Sequence, residues 1–284
     1  MNIKKYRPKA IYVTDFSSLM WCEKQFEFGL EHGKKETEAM KKGSEHHEEL
    51  HEEVTEILKV SPKTKEDFFA LKMYNCIQAL EGIDYENIAR EIPIMGFIEG
   101  LFITGYIDEV VIKNNVLMLI DTKTRSKKSM PSVEQKRTSH IQLMCYKFML
   151  DNFIDKKYEL DSFFKVYGFD ENSKISDEFK KQFKELKQDV EPNLKKLATK
   201  AFNLLSGLPT ISDNLTIRYV YQLTGEFISA DIFNYNKDWL LDTIQVFKEF
   251  LQNKRSAKLV PEEETWKCKF CDYYEMCKGK SETV

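Results

Sequence analysis

The sequence predicts an α/β or α+β fold with a mixed sheet, and three observations carry that expectation. β-rich runs at about 88–97, 101–113 and 115–124 follow one another in mid-chain. Amphipathic helical stretches flank them, at 34–59 and 66–80 before and at 133–153 after. A helix–strand–strand–strand–helix–strand order builds a sheet covered by helices, not a bundle or a sandwich. With 284 residues, 42% of them hydrophobic and 31% charged, the chain can bury a substantial core and is not of disordered composition.

In order along the chain, residues 1–10 read as a loose arm and 13–30 as a short helix carrying Trp21 and Cys22. The 34–59 helix has an apolar stripe of Leu50, Val54, Ile57 and Leu58, and Ser61-Pro62 ends it. Gly82 closes the 66–80 helix. After the three strands and the 133–153 helix, "DSFFKVYGF" at 161–169 reads as a strand and 176–205 as an amphipathic helix. "LTIRYVYQLTGEFISADIF" reads as another hairpin or strand pair and 236–254 as another helix. No internal repeat or low-complexity linker divides the chain, so one domain over 1–284 is expected, with segments 13–62, 63–170, 171–260 and 261–284.

The longest purely apolar run, Val116 to Ile120, is far too short to span a membrane, and "MNIKKYRPKA" lacks the apolar stretch of a secretory signal. A soluble, intracellular protein without a membrane partner is the expectation. Net charge is −3, which does not advertise a nucleic-acid binder. Locally, Lys123, Arg125, Lys127, Lys128, Lys136 and Arg137 face only Glu134 between 123 and 137, an excess of +5. Such a run is either a solvated loop or a phosphate-binding patch.

"TGYIDEVVIKNNVLMLIDTKT", residues 104–124, reads as a hairpin turning at Asn114-Asn115, since Asn tolerates the positive φ of a two-residue turn. That turn pairs Lys113 with Val116 and carries Asp108 directly opposite Asp121. Opposed like charges destabilise a sheet. Lys123 shares the face of Asp121, which Val110, Ile112, Leu117 and Leu119 continue as an apolar surface. Two acids and a lysine at the edge of a buried face are either a structural ion cluster or a site for Mg²⁺ or Mn²⁺, whose charge would offset the repulsion. On the 34–59 helix, His47 lies nearer the centre of the apolar stripe than His46, which makes it a packed histidine or a third ligand. Gln142 and Tyr146, four apart, share one face of the following helix.

Six cysteines in an intracellular chain do not suggest disulfides. Cys76 and Cys145 fall inside helices and read as core. Cys268, Cys271 and Cys277 form C-x2-C-x5-C, and Cys22 is the candidate fourth ligand; four thiolates hold zinc or an iron–sulfur cluster.

In order, Gly43-Ser-Glu-His-His47, Gly105-Tyr-Ile-Asp108, Asp121-Thr-Lys123 and Gln142-Leu-Met-Cys-Tyr146 resemble the RecB-like branch of the PD-(D/E)XK nucleases. The resemblance implies a restriction-endonuclease-like core in which His47, Asp108 and Asp121 bind the metal, Lys123 works beside it, and Gln142 and Tyr146 help set the DNA. The G-x3-H spacing favours His47 over His46, and Asp121 stands where many members carry Glu. Glu91 sits where relatives often have a glutamate. The early cysteine with the C-x2-C-x5-C tail is similar to the iron–sulfur nucleases of that branch, and the exonuclease V family is the nearest resemblance, over about 13–277. It implies a Mg²⁺-dependent exonuclease on single-stranded DNA in DNA repair, with a 4Fe–4S cluster on Cys22, Cys268, Cys271 and Cys277 clasping the two ends. Arg125, Lys127 and Lys128 would add contacts to the strand. A monomer is expected, with a single-strand-binding protein as a possible partner, in the nucleus or mitochondrion of a eukaryote or the cytoplasm of a prokaryote. The rival readings are a CRISPR-adaptation-type nuclease trimming DNA ends and a non-catalytic, cluster-stabilised DNA-binding module. No Walker A motif is present, so a fused helicase is not expected.

Overall fold

A two-residue turn sets the register of the central hairpin: Asn114 and Asn115 both take positive φ, 54° and 61°, as a primed turn requires. The computed structural model describes residues 3–34 and 60–281. It opens with α1 (Ile3–Tyr6), β1 (Ile11–Tyr12), α2 (Val13–Trp21) and α3 (Glu23–His32). Next come α4 (Lys65–Glu86) and the strands β2 (Ile88–Ile98), β3 (Leu101–Lys113) and β4 (Val116–Arg125). Helices α5 (Val133–Ile154), α6 (Leu160–Tyr167), α7 (Asp177–Glu185) and α8 (Leu194–Ser206) lead to β5 (Asn214–Tyr221) and β6 (Phe227–Asn234). The chain finishes with α9 (Lys237–Leu251), a 3₁₀ segment (Glu262–Phe270) and α10 (Tyr274–Ser281). The predicted 34–59 helix, with Gly43, His46 and His47, lies outside the described residues.

The sheet is mixed and flanked by helices, as the sequence predicts. β3 is its axis: β2 pairs antiparallel along its whole length, from Ile98–Leu101 to Ile88–Val111. The opposite edge is shared, with β1 parallel at Ile103 and Thr104 and β4 antiparallel from Glu109 to Lys113. β5 then runs parallel to β4 and pairs antiparallel with β6. The crossover from β4 to β5 is made by α5 to α8, since a parallel return cannot be made by a tight turn. Buried apolar residues from Ile11 to Leu251 form one continuous core.

Four local expectations are corrected. The stretch at 161–169 is not a strand but α6, because Phe163 packs on Phe97, Phe102 and Phe153 while its neighbour Phe164 packs on Phe69. Tyr167 shares Phe102 with Phe163 and Phe69 with Phe164, so positions i, i+1 and i+4 lie on one face. A helix allows that and a strand does not, and Gly168 at φ 67° ends the helix. The helix expected over 176–205 is two: α7 stops at Glu185, with Lys187 in the left-handed region at φ 57°, and Asn193, after Pro192, caps α8. The helix over 13–30 is likewise broken at Cys22, whose extended backbone (φ −168°) lets its sulfur cap α3 through the Gln25 N–H. Finally, α4 runs past Gly82 to Asn87, which takes the left-handed cap at φ 56°. Its N-terminus is fixed by the Thr64–Asp67 capping box.

Candidate functional site

The β3–β4 ladder runs from Lys113–Val116 to Glu109–Ile120, so Asp108 and Asp121 stand at its next step, in the register the hairpin predicts. There β4 leaves β3, and the Asp108 carboxylate accepts from the Thr122 N–H at 3.1 Å. Asp121 is fully buried. The Lys123 ammonium donates to its Oδ1 at 3.0 Å and lies 2.9 Å from its Oδ2. Oδ2 itself makes no hydrogen bond with any described group, so that second contact is an ionic one only. Burial works to lower the Lys123 pKa, but the charges of Asp121 and Asp108 and the bond to Asp121 outweigh it and raise the pKa. The ammonium is therefore firmly charged as it sits.

α5 lies over this patch and crosses the sheet. At one end Tyr146 covers Gly105 of β3, where a Cβ would come within 2.8 Å of the tyrosine ring; only glycine allows that approach. The next turn places the Gln142 Oε1 at 3.4 Å from Lys123 Nζ, with the Gln142 amide donating to the Tyr146 hydroxyl at 3.4 Å. Tyr146 is buried, and its hydroxyl pKa is held well above normal, first by burial and then by Asp108. Gln142 thus contacts Lys123, and Tyr146 lies near enough to Asp108 and Asp121 to feel their charges. At the other end His140 stacks on Phe233 and, with Lys136, engages Asp231 of β6 at 2.7 Å and 2.9 Å. This anchor was not foreseen from sequence.

Glu91 stands across β3 from Asp108 in the β2–β3 register, between the Arg90–Glu109 and Ile92–Ile107 pairs. Its φ of 50° is uncommon for a residue other than glycine and marks strain in the ladder beside the carboxylates. Beyond β4, Arg125 holds the following loop through Ser129 and Gln135, while Lys127 and Lys128 are exposed. Lys128 pairs with Glu226 at the β5–β6 turn. Apart from Lys123, the basic run therefore borders the cluster rather than entering it.

The four tail and helix cysteines line one cavity of about 210 Å³. Cys22 comes from the α2–α3 junction, Cys268 from the 3₁₀ segment, Cys271 from its end and Cys277 from α10. Burial raises the Cys22 pKa and nearby Cys271 and Cys277 push the same way, although backbone hydrogen bonds oppose them. Around the cavity the two ends of the chain are stapled. Trp21 meets Trp266 edge-on at 5.6 Å, and Lys267 Nζ donates to the Trp21 carbonyl. Arg255 grips both oxygens of Glu23 at 2.6 and 2.7 Å. Cys76 and Cys145 are fully buried core thiols, as predicted, and burial drives Cys76 up to about 12.

Both places suit a metal by their donor chemistry. Opposed carboxylates, one with a buried oxygen lacking a hydrogen bond, fit a hard divalent cation. Four thiols ringing a space fit a soft metal or cluster. Among the described residues no three His, Cys, Asp or Glu side chains are gathered as one ion would require. Asp108 and Asp121 alone would therefore supply only part of an ion's ligands, and the four cysteines share the lining of one cavity.

A family model described as exonuclease V, a 5′ deoxyribonuclease, matches residues 2–116, 113–203 and 193–280. The chain belongs to the exonuclease V family. Exonuclease V of Danio rerio is 27% identical over 294 residues, covering 98% of this chain and 72% of the fish protein. The solved crystal structure of SSO0001 is a distant neighbour, with a TM-score of 0.45 and 12% identity over 95% of this chain and 86% of that one. Membership in the exonuclease V family makes the chain a nuclease, a hydrolase with DNA as its substrate. Among the described residues no helix is long and apolar enough to cross a membrane.

Proposed function

We propose that this exonuclease V family member is a Mg²⁺-dependent exonuclease of the PD-(D/E)XK type that degrades single-stranded DNA in repair, held together by a 4Fe–4S clasp. The observation that carries the reading is the pair Asp108–Asp121, with a fully buried Asp121 whose Oδ2 lacks a hydrogen bond while a charged Lys123 sits against it. One ammonium faces two opposed carboxylates, and a cation would offset the negative charge that remains.

Asp108 and Asp121 would hold the ion, with His47 and, from the neighbouring strand, Glu91 as further ligands. The bound ion would supply Lewis-acid polarisation of the scissile phosphate and a more acidic water. Lys123 presents positive charge to the reacting phosphate and orients a water; Gln142, braced by Tyr146, fixes where the ammonium points. Arg125, Lys127 and Lys128 border the site and would contact backbone phosphates, which reads as affinity without sequence preference. The preference for single strands rests on the family resemblance.

Cys22, Cys268, Cys271 and Cys277 would ligate the cluster. A zinc ion bonded at about 2.3 Å draws four sulfurs into close contact. That all four line one cavity suits either, and the choice of a cluster over zinc rests on the family resemblance. Its role would be structural, tying the N-terminal helices to the tail.

The reading is tested with 5′-labelled single strands in Mg²⁺ and purified Asp121→Ala. Loss of digestion in the variant, with an unchanged iron content, is expected. Equal digestion by variant and parent would remove the assignment, and a parent that binds strands without cutting them would favour a non-catalytic module.

A further inference from the structure

Tyr219 lies beside Lys123, one strand over. β4 and β5 pair in parallel with Lys123 against Tyr219 and Asp121 against Ile217, so the two side chains leave the same face of the sheet. The tyrosine is 2% exposed, and its hydroxyl has no hydrogen-bond partner among the described residues. A buried phenol in that condition gives up its hydration for nothing unless another state of the protein uses it. Its charged surroundings are Asp231, Asp121, Arg125 and Lys123. Asp231 is already engaged by Lys136 and His140, and Arg125 by Ser129 and Gln135. Burial above all raises the Tyr219 pKa to about 12, so the hydroxyl stays neutral and has lone pairs to offer.

Lys123 is the group that would need them. Its ammonium now contacts both oxygens of Asp121, the carboxylate a divalent cation would take. A cation there removes the partner of Lys123 and repels it, while the flexible lysine stem lets the charge move. Resting on the cation reading of Asp108 and Asp121, we propose that the Tyr219 hydroxyl is the second seat of Lys123, accepting a hydrogen bond from Nζ once a cation occupies Asp121. Gln142 Oε1, within 3.4 Å of Nζ, guides the change from the other side. Tyr219 is thus a positioning residue: it lowers the cost of giving up the Lys123–Asp121 pair and keeps the ammonium inside the site.

The test is calorimetric titration of the full, cluster-bearing chain with Mn²⁺, comparing parent, Tyr219→Phe, Lys123→Met and the double variant, with Asp121→Asn as control. Tyr219→Phe is expected to weaken Mn²⁺ binding about tenfold, the worth of one hydrogen bond to a charged group. Its melting temperature in EDTA should equal or exceed that of the parent, because the hydroxyl it removes has no hydrogen-bond partner among the described residues. In the Lys123→Met background the same change should alter Mn²⁺ affinity less than about twofold, since the two residues act as one unit. Unchanged affinity in Tyr219→Phe, an equal loss with or without Lys123, or a lower melting temperature in EDTA would each overturn the inference. A parent that binds Mn²⁺ no better than Asp121→Asn would overturn the cation reading and this inference together.

Discussion

Lys123 Nζ sits 3.0 Å from Oδ1 and 2.9 Å from Oδ2 of Asp121, two residues back on the same strand, so the ammonium lies where a cation would balance that buried carboxylate. The lysine stabilises the protein without metal and competes with metal when it arrives. Lys123→Met should therefore destabilise the EDTA-treated protein by about 3 kcal/mol, the usual result of leaving a buried charge alone. Adding Mg²⁺ should recover more stability in the variant than in the parent. Urea melts with and without Mg²⁺ read both effects; equal Mg²⁺ shifts would mean the lysine and the ion do not share the carboxylate.

The Asn114-Asn115 turn fixes which residue of β3 meets Asp121. One glycine inserted between the two asparagines should slide Asp108 out of line and abolish Mn²⁺ binding. Cys22 and the tail lie elsewhere in the fold, so iron content should stay at the parental level. Retained Mn²⁺ affinity would show that the opposed register is not what the ion needs.

Asp67 links two helix starts. It closes the capping box with Thr64 and accepts from the Ser176 N–H and hydroxyl at 2.8 and 2.9 Å, where α7 begins. Burial pushes its pKa up, but the hydrogen bonds from Ser176 and Thr64 outweigh that and the pKa is lowered. A lowered carboxylate contributes stability above the unfolded value, near 3.9, and loses it as pH falls through the folded one. Asp67→Ala should cost about 2–4 kcal/mol at neutral pH. The gap to the parent should narrow below about pH 4; a gap constant with pH would contradict this.

Cys268→Ser should yield protein with little iron and a tail open to protease, since the segment that holds Lys267 against Trp21 would lose its clasp. Mass spectrometry of limited digests would place the new cleavages within the C-terminal segment from residue 262. A protease-resistant, colourless parent carrying zinc would replace the cluster with a single ion.

The parts of this site that lie close in sequence were legible in the sequence. Period-2 alternation around two asparagines is enough to bring Asp108 opposite Asp121 and to put Lys123 beside it, because a two-residue turn leaves one register. Tyr219 was not legible: its place next to Lys123 depends on a parallel return through four helices, and no local pattern encodes which strand such a crossover rejoins. The His140–Asp231 anchor was hidden for the same reason. Phe163 and Phe164 misled because a short aromatic run suits a strand or a two-turn helix, and only the rings around them decide. Cys22 was legible as a ligand candidate but not as the break between two helices, which its backbone makes.

The most direct measurement is the digestion rate of a 5′-labelled single strand as Mg²⁺ is raised, for the parent and for Asp108→Asn. The asparagine keeps an oxygen to accept the Thr122 N–H and leaves both members of the Lys123–Asp121 pair in place, while the opposed negative charge is removed. The variant should melt as the parent does or slightly higher, and cut roughly 100-fold more slowly or worse at every Mg²⁺ concentration, reflecting the several kcal/mol a bound cation supplies. Parental rates and the parental Mg²⁺ dependence in Asp108→Asn would contradict the claim that the two aspartates are opposed in order to hold a metal.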